Sequence, residues 1–208
     1  MPVTVIIPAY NEERTVGAVV ETAWKASSLV REVIVVDDGS TDATAANAFR
    51  AGGKLIRLPA NAGKTQALLA GARQAREETL LFLDADLLGL RPVHLYHLAE
   101  PVLQQQADMA IGVFRGGRLA TDLAQLLAPQ LSGQRALSRR LFLLTADALR
   151  PGFAVEVVLN AYAKKLGLAI VQVALEGVSH VTKEEKRGLW PGFRARMHMY
   201  LDIWRGLT

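Results

Sequence analysis

Asp84 and Asp86 stand one residue apart, where the apolar run Leu80-Leu81-Phe82-Leu83 ends. Side chains two positions apart on an extended chain point to the same side, so both carboxylates can meet one ligand. Two hard oxygen donors suit Mg²⁺ or Mn²⁺, ions that usually complete their coordination with substrate phosphates. Three more polar clusters follow apolar runs of strand length: Tyr10-Asn11-Glu12, Asp37-Asp38, and Asn61 to Lys64. In a parallel sheet the strand ends lie along one edge, where ligands are held, so the four clusters can line a single crevice. Asn61-Ala62-Gly63-Lys64-Thr65 superficially suggests a nucleotide-binding P-loop, but Leu58 occupies the place of its first glycine. Lys64 can still reach a phosphate from the start of a helix, where backbone N–H groups favour anions.

The elements that must hold these groups follow from the chain order. Val3-Thr4-Val5-Ile6-Ile7-Pro8 predicts a buried strand stopped by proline, and Asn11-Glu12-Glu13 predicts the opening of a helix reaching about Ser27. Glu32 to Asp37 is a second strand; Gly39 supplies the turn, and Ser40, Thr41 or Asp42 caps the next helix. Lys54 to Leu58, a helix from Lys64 to about Arg76, and the strand that ends at Asp84 continue the alternation. A helix from Pro92 to about Gln104 and a strand from Asp108 to Val113 follow. The segment Arg118 to Gly152 is irregular; a helix over Val155 to Leu166 and a strand over Leu168 to Leu175 come after it. Such spacing predicts βαβ units and an α/β fold: a mostly parallel twisted sheet flanked by helices, in a single domain.

The composition admits this. A chain of 208 residues, half hydrophobic and one-fifth charged, can bury a substantial core. It has no cysteine, which excludes disulfides and thiolate metal sites and fits a cytoplasmic setting. No signal-peptide pattern opens the chain, and no stretch reaches the roughly 18 apolar residues of a membrane span. The net charge of +4 suits an anionic substrate and falls short of a nucleic-acid-binding signature.

Val5-Ile6-Ile7-Pro8-Ala9-Tyr10-Asn11-Glu12-Glu13, Val35-Val36-Asp37-Asp38-Gly39-Ser40-Thr41-Asp42 and Leu83-Asp84-Ala85-Asp86 together resemble the signature blocks of family 2 glycosyltransferases of the GT-A (Rossmann-like) fold. The resemblance implies a nucleotide-diphosphate-sugar donor, UDP- or GDP-linked, and Mg²⁺ or Mn²⁺ as cofactor. It implies that Pro8, Ala9, Tyr10 and Glu12 hold the nucleoside and that Asp37 or Asp38 contacts the base or ribose. Asp86 would be the main metal ligand; Asp84, with Ala85 between them, would lie nearer the ribose or donor sugar. Ser132-Gly133-Gln134-Arg135-Ala136 and Gly152-Phe153-Ala154-Val155-Glu156-Val157 resemble segments of glucosyl-3-phosphoglycerate synthases and polyprenyl-phosphate sugar transferases. By that likeness Gly133 and Arg135 would hold an anionic or hydroxyl acceptor, Glu156 would touch the donor sugar, and His180 would complete the metal site. Asp86, Glu156 and Lys64 are then the candidate catalytic residues. The phosphoglycerate group is retaining and the polyprenyl group inverting, so the stereochemical outcome stays open.

On this reading residues 1–113 form the nucleotide-sugar half, 114–186 the acceptor side, and 187–208 an amphipathic C-terminal helix. Trp190, Phe193, Met197, Tyr200, Leu201 and Trp204 recur there at helical spacing among Arg187, Arg194, Arg196 and Arg205. That stripe suits packing on the domain or on a second copy in a homodimer first, with a peripheral membrane contact over 187–205 as the alternative. The competing readings are a sugar-phosphate nucleotidyltransferase, which would begin with a glycine-rich loop, and a non-catalytic nucleotide-sugar binder. A dinucleotide-dependent oxidoreductase would need G-x-G-x-x-G after the first strand, which is absent.

Overall fold

The computed structural model describes residues 1–116, 132–149 and 154–181. Strand β1 (Val3–Ala9) and strand β2 (Val30–Asp37) are apolar on both faces, the pattern of strands covered by helices above and below. They pair in parallel, and β3 (Lys54–Arg57) and β4 (Thr79–Phe82) extend the sheet in parallel on either side. With β6 (Met109–Arg115), β7 (Arg135–Ser138) and β8 (Ile170–Glu176) the order is β3-β2-β1-β4-β7-β6-β8. In this sheet β7 runs antiparallel to β4 and β6. Strands β5 (Leu87–Leu88) and β9 (Ser179–His180) form a separate antiparallel pair.

Alternation along the strands sends successive side chains into two cores. Val5, Ile7, Val33 and Val35 pack with Val16, Val19 and Val20 of α1 (Val16–Lys25) and with Leu95 and Leu98 of α4 (Pro92–Leu103). Ile6, Ile34, Val36, Leu80 and Phe82 pack with Ala67 and Leu68 of α3 (Lys64–Gln74). Phe142 of α5 (Arg139–Leu144) and Leu159 of α6 (Val155–Leu166) join that second core, with Phe142 edge-on to Phe82 at 4.8 Å. Between β2 and β3 runs α2 (Thr44–Arg50). Among the described residues no helix is long and apolar enough to cross a membrane.

Two expectations change. Asn11-Glu12-Glu13 does not open the first helix, which begins at Val16 with no acidic residue in its first turn. Asn11 instead takes a left-handed φ of 54°, and the backbone N–H groups of Asn11, Glu12 and Glu13 donate to Ser40, Thr44 and Asp42 across the sheet edge. These long-range bonds give acceptors to N–H groups that the first turn of a helix would leave without intrahelical partners. The irregular stretch also contains β7, inserted antiparallel between β4 and β6. The C-terminal amphipathic segment lies outside the described residues.

Candidate active site

The carboxyl ends of the strands meet as the sequence predicts. Ala9, Asp37 and Arg57 are in register at one sheet edge, and β4 ends beside β1 at Phe82. Asp84 and Asp86 lie just beyond β4, on a loop and turn rather than on the strand itself. Strand alternation therefore does not bring them together; the turn into β5 does. Leu87 of β5 pairs with His180 of β9, and Val181 N–H donates to the Asp86 carbonyl, so the imidazole is carried to the same turn. Single ligand atoms of Asp84, Asp86 and His180 all lie within 4.8 Å of one another. His180 Nδ1 is 2.9 Å from Asp86 Oδ1, Nε2 is 3.8 Å from Asp84 Oδ2, and the ring stands edge-on to Phe114. Burial favours the neutral imidazole, but the hydrogen bond to Asp86 and the charges of both aspartates outweigh it and raise the pKa.

Lys64 begins α3 because Asp38 holds the loop before it. Its carboxylate accepts the N–H groups of Ala62 at 2.7 Å and Gly63 at 2.9 Å. From that position the Lys64 ammonium reaches Asp84 Oδ1 at 2.7 Å and Glu156 Oε1 at 2.8 Å. Glu156 sits in the first turn of α6, buried, so it is more than a partner for the helix dipole. Burial opposes its charge, but the charge and hydrogen bond of Lys64 hold the carboxyl below the usual range. Lys64 in turn is raised: the two carboxylates outweigh the cost of burial. The site is thus three carboxylates, an ammonium and an imidazole: Lys64 lies between Glu156 and Asp84, and Asp84 also belongs to the cluster with Asp86 and His180. Gly133 lies against it, and a Cβ there would stand 2.7 Å from Asp84 Oδ2.

The other expected residues divide. Pro8 and Ala9 end β1, and Tyr10 is exposed beside them. Glu12 lies on the loop tied to Thr44, and Ala85 is buried between the two aspartates. Asp37 and Asp38 are only 0% and 3% exposed. Asp37 Oδ1 accepts the Ser40 N–H, and Oδ2 lies 3.2 Å from Arg57 Nε. Both carboxylates thus face inward and shape the loops that border the strand ends. Arg135 also faces inward. It is 1% exposed, its Nε donating to the Ser132 carbonyl and its Nη1 to Asn160 Oδ1 at 2.9 Å. Burial draws the guanidinium down to about 10, against the pull of Glu156, so it remains a buried cation at neutral pH. Gln134, which had no role of its own within the Ser132–Ala136 segment, donates from Nε2 to Asp84 Oδ2 at 2.9 Å. No local signal marks it, because its partner is 50 positions away.

A family model described as glycosyl transferase family 2 matches residues 4–157. Glucosyl-3-phosphoglycerate synthase of Mycobacterium tuberculosis is 32% identical over 216 residues, covering 86% of this chain and 66% of the relative. Dodecaprenyl-phosphate galacturonate synthase of Rhizobium johnstonii is 32% identical over 123 residues, covering 54% of this chain and 36% of the relative. The crystal structure of the M. tuberculosis synthase with Mn²⁺, UDP-glucose and phosphoglyceric acid superposes with a TM-score of 0.72 at 31% identity, over 87% of this chain and 72% of that one. The chain spans about two thirds of the length of the synthases it matches.

Proposed function

The chain belongs to glycosyl transferase family 2, and from that premise we propose that it moves a sugar from a nucleotide-diphosphate donor to a small phosphorylated carboxylate acceptor. The observation that carries the reading is the convergence of Asp84, Asp86 and His180 beside the Lys64–Glu156 pair. The donor set fits Mg²⁺ or Mn²⁺, since carboxylate oxygens are hard ligands for both and imidazole is acceptable to Mn²⁺. Asp84, Asp86 and His180 would hold such an ion, and when bound it offsets the negative charge that builds on the departing diphosphate.

The remaining work falls to the chain itself. Lys64 brings a positive charge to the donor phosphates from the first residue of α3, the helix end whose dipole favours an anion. Glu156, held by Lys64, orients the donor sugar at the reacting carbon, and Tyr10 with the end of β1 takes the nucleoside. A uridine donor is favoured over guanosine because the M. tuberculosis synthase is crystallised with UDP-glucose. That synthase also holds phosphoglyceric acid, and its match extends over 86% of the chain against 54% for the polyprenyl-phosphate enzyme. A compact anionic acceptor is therefore preferred to a lipid phosphate.

The test is a transfer assay with Mn²⁺ and UDP-glucose or GDP-glucose, offering 3-phosphoglycerate and dodecaprenyl phosphate in parallel, read by mass spectrometry. A glucosylated phosphoglycerate formed from UDP-glucose is expected. Transfer only to the lipid phosphate would overturn the acceptor. Tight donor binding without transfer to either acceptor would turn the reading toward a nucleotide-sugar binder.

A further inference from the structure

Resting on the metal-site reading above, we propose that Gln134 is a positioning residue that fixes the carboxylate of Asp84 for its cation. Gln134 is fully buried, with its carbonyl accepting the Gly112 N–H of β6 at 2.8 Å. Its side chain closes a short relay: Ser132 Oγ donates to Gln134 Oε1 at 3.0 Å, and Gln134 Nε2 donates to Asp84 Oδ2 at 2.9 Å. The direction of the amide follows from its neighbours. The Gln134 backbone N–H donates to the Ser132 hydroxyl oxygen, leaving the hydroxyl proton for Oε1. A reversed amide would set its oxygen against the carboxylate and strand the hydroxyl proton. Nε2 therefore faces Asp84.

The two oxygens of Asp84 then have partners of different kinds. Oδ1 meets the Lys64 ammonium at 2.7 Å, and Oδ2 meets a neutral amide. The amide fixes the plane of the carboxylate without neutralising it, so the negative charge that a divalent cation needs is preserved. A second cation at this place would compete with the metal for the same charge. Gly133 allows the arrangement, since any side chain there would be driven into Lys64 and Asp84. Partners of this sort, hydrogen-bonded to a metal-ligating carboxylate, typically govern metal affinity by 10–100-fold.

The test measures Mn²⁺ binding without nucleotide, by the electron paramagnetic resonance signal of free Mn²⁺, well below the melting temperature of each variant. Gln134→Met keeps the length of the side chain and removes both polar ends. It is expected to weaken Mn²⁺ binding about tenfold. Ser132→Ala frees the amide to turn and should cause a smaller loss in the same direction. The double variant should lose no more than Gln134→Met alone, as expected of two residues acting through one relay. Ser132→Ala keeps the test decisive should Gln134→Met not fold. A residue that only packs the core would lower the melting temperature and leave Mn²⁺ affinity alone. Unchanged affinity in both single variants, with the wild type binding Mn²⁺, would overturn the role of Gln134 while the metal site stands. Failure of the wild type to bind Mn²⁺ would overturn the metal-site reading and this role with it.

Discussion

Replacing Lys64 by methionine keeps the aliphatic stem and removes the ammonium shared by Asp84 and Glu156. The side chains of Lys64, Asp84 and Glu156 are 35%, 19% and 11% exposed, so the triad is neither a surface pair nor a fully buried one. Exposed pairs contribute about 0–1 kcal/mol, whereas breaking a buried pair costs about 3–5 kcal/mol. A loss of about 2 kcal/mol at neutral pH lies between them, and for a chain of this length it lowers the melting temperature by about 4–8 °C. The pH dependence identifies the cause. Lys64 holds the Glu156 carboxyl below its ordinary 4.5, and without the ammonium burial pushes it up. A depressed carboxyl stabilises the fold above its unfolded pKa and loses that stabilisation as the pH falls through its folded value. The gap between wild type and Lys64→Met is therefore full at neutral pH, begins to close at or above 4.5, and shrinks further below it. Thermal melts from pH 3.5 to 7.5 measure it, and steady-state transfer assays should show about a 100-fold fall in turnover if the ammonium faces the diphosphate. A melting temperature equal to the wild type across that range, or a turnover within a few-fold of it, would refute the reasoning.

Other perturbations separate the site from the scaffold. Gly133→Ala places a Cβ 2.7 Å from Asp84 Oδ2, so Mn²⁺-dependent donor binding should fall at least about tenfold while the circular dichroism spectrum holds; normal binding would mean that the 132–134 segment yields freely. Asp86→Ala should abolish metal-dependent donor binding with the fold intact, and undiminished binding would remove Asp86 from the metal site. Far from the site, burial would raise Glu32, but hydrogen bonds from Lys54, the Arg76 N–H and Thr4 outweigh it and lower its pKa. Glu32→Gln should therefore cost about 1.5 kcal/mol at neutral pH, and the cost should vanish as the pH falls below 4.5 and through the depressed value; a pH-independent difference in melting temperature would contradict this.

The first half of the molecule was legible because its information is local. Apolar runs of strand length each end in polar residues, and a parallel sheet brings such ends to one edge. The start of α1 was not legible. Asn11 to Glu13 have the composition of a helix opening, yet their backbone donors go to Ser40, Thr44 and Asp42, about 30 positions away. The stretch around β7 has no clear period, and an antiparallel strand wedged into a parallel sheet leaves none to find. Arg135 shows the limit of motif reading: residue type and neighbours suit an anion, but whether the fork faces in or out depends on Asn160 and Met109, which only the fold brings near. Gln134 is the converse, a residue of the Ser132–Ala136 segment with no role of its own there that the fold sets against Asp84. The pairing of Lys64 with Glu156, 92 positions apart, was equally beyond local pattern, although each had been singled out separately.

The central claim is that Asp84, Asp86 and His180 hold a divalent cation that makes the site a receptor for a nucleotide-diphosphate sugar. It is tested most directly by calorimetric titration of UDP and UDP-glucose into the protein with Mn²⁺, repeated after EDTA. Tight binding with Mn²⁺ and its loss with EDTA are predicted. Binding of equal strength in EDTA, or no nucleotide binding under either condition, would contradict the account.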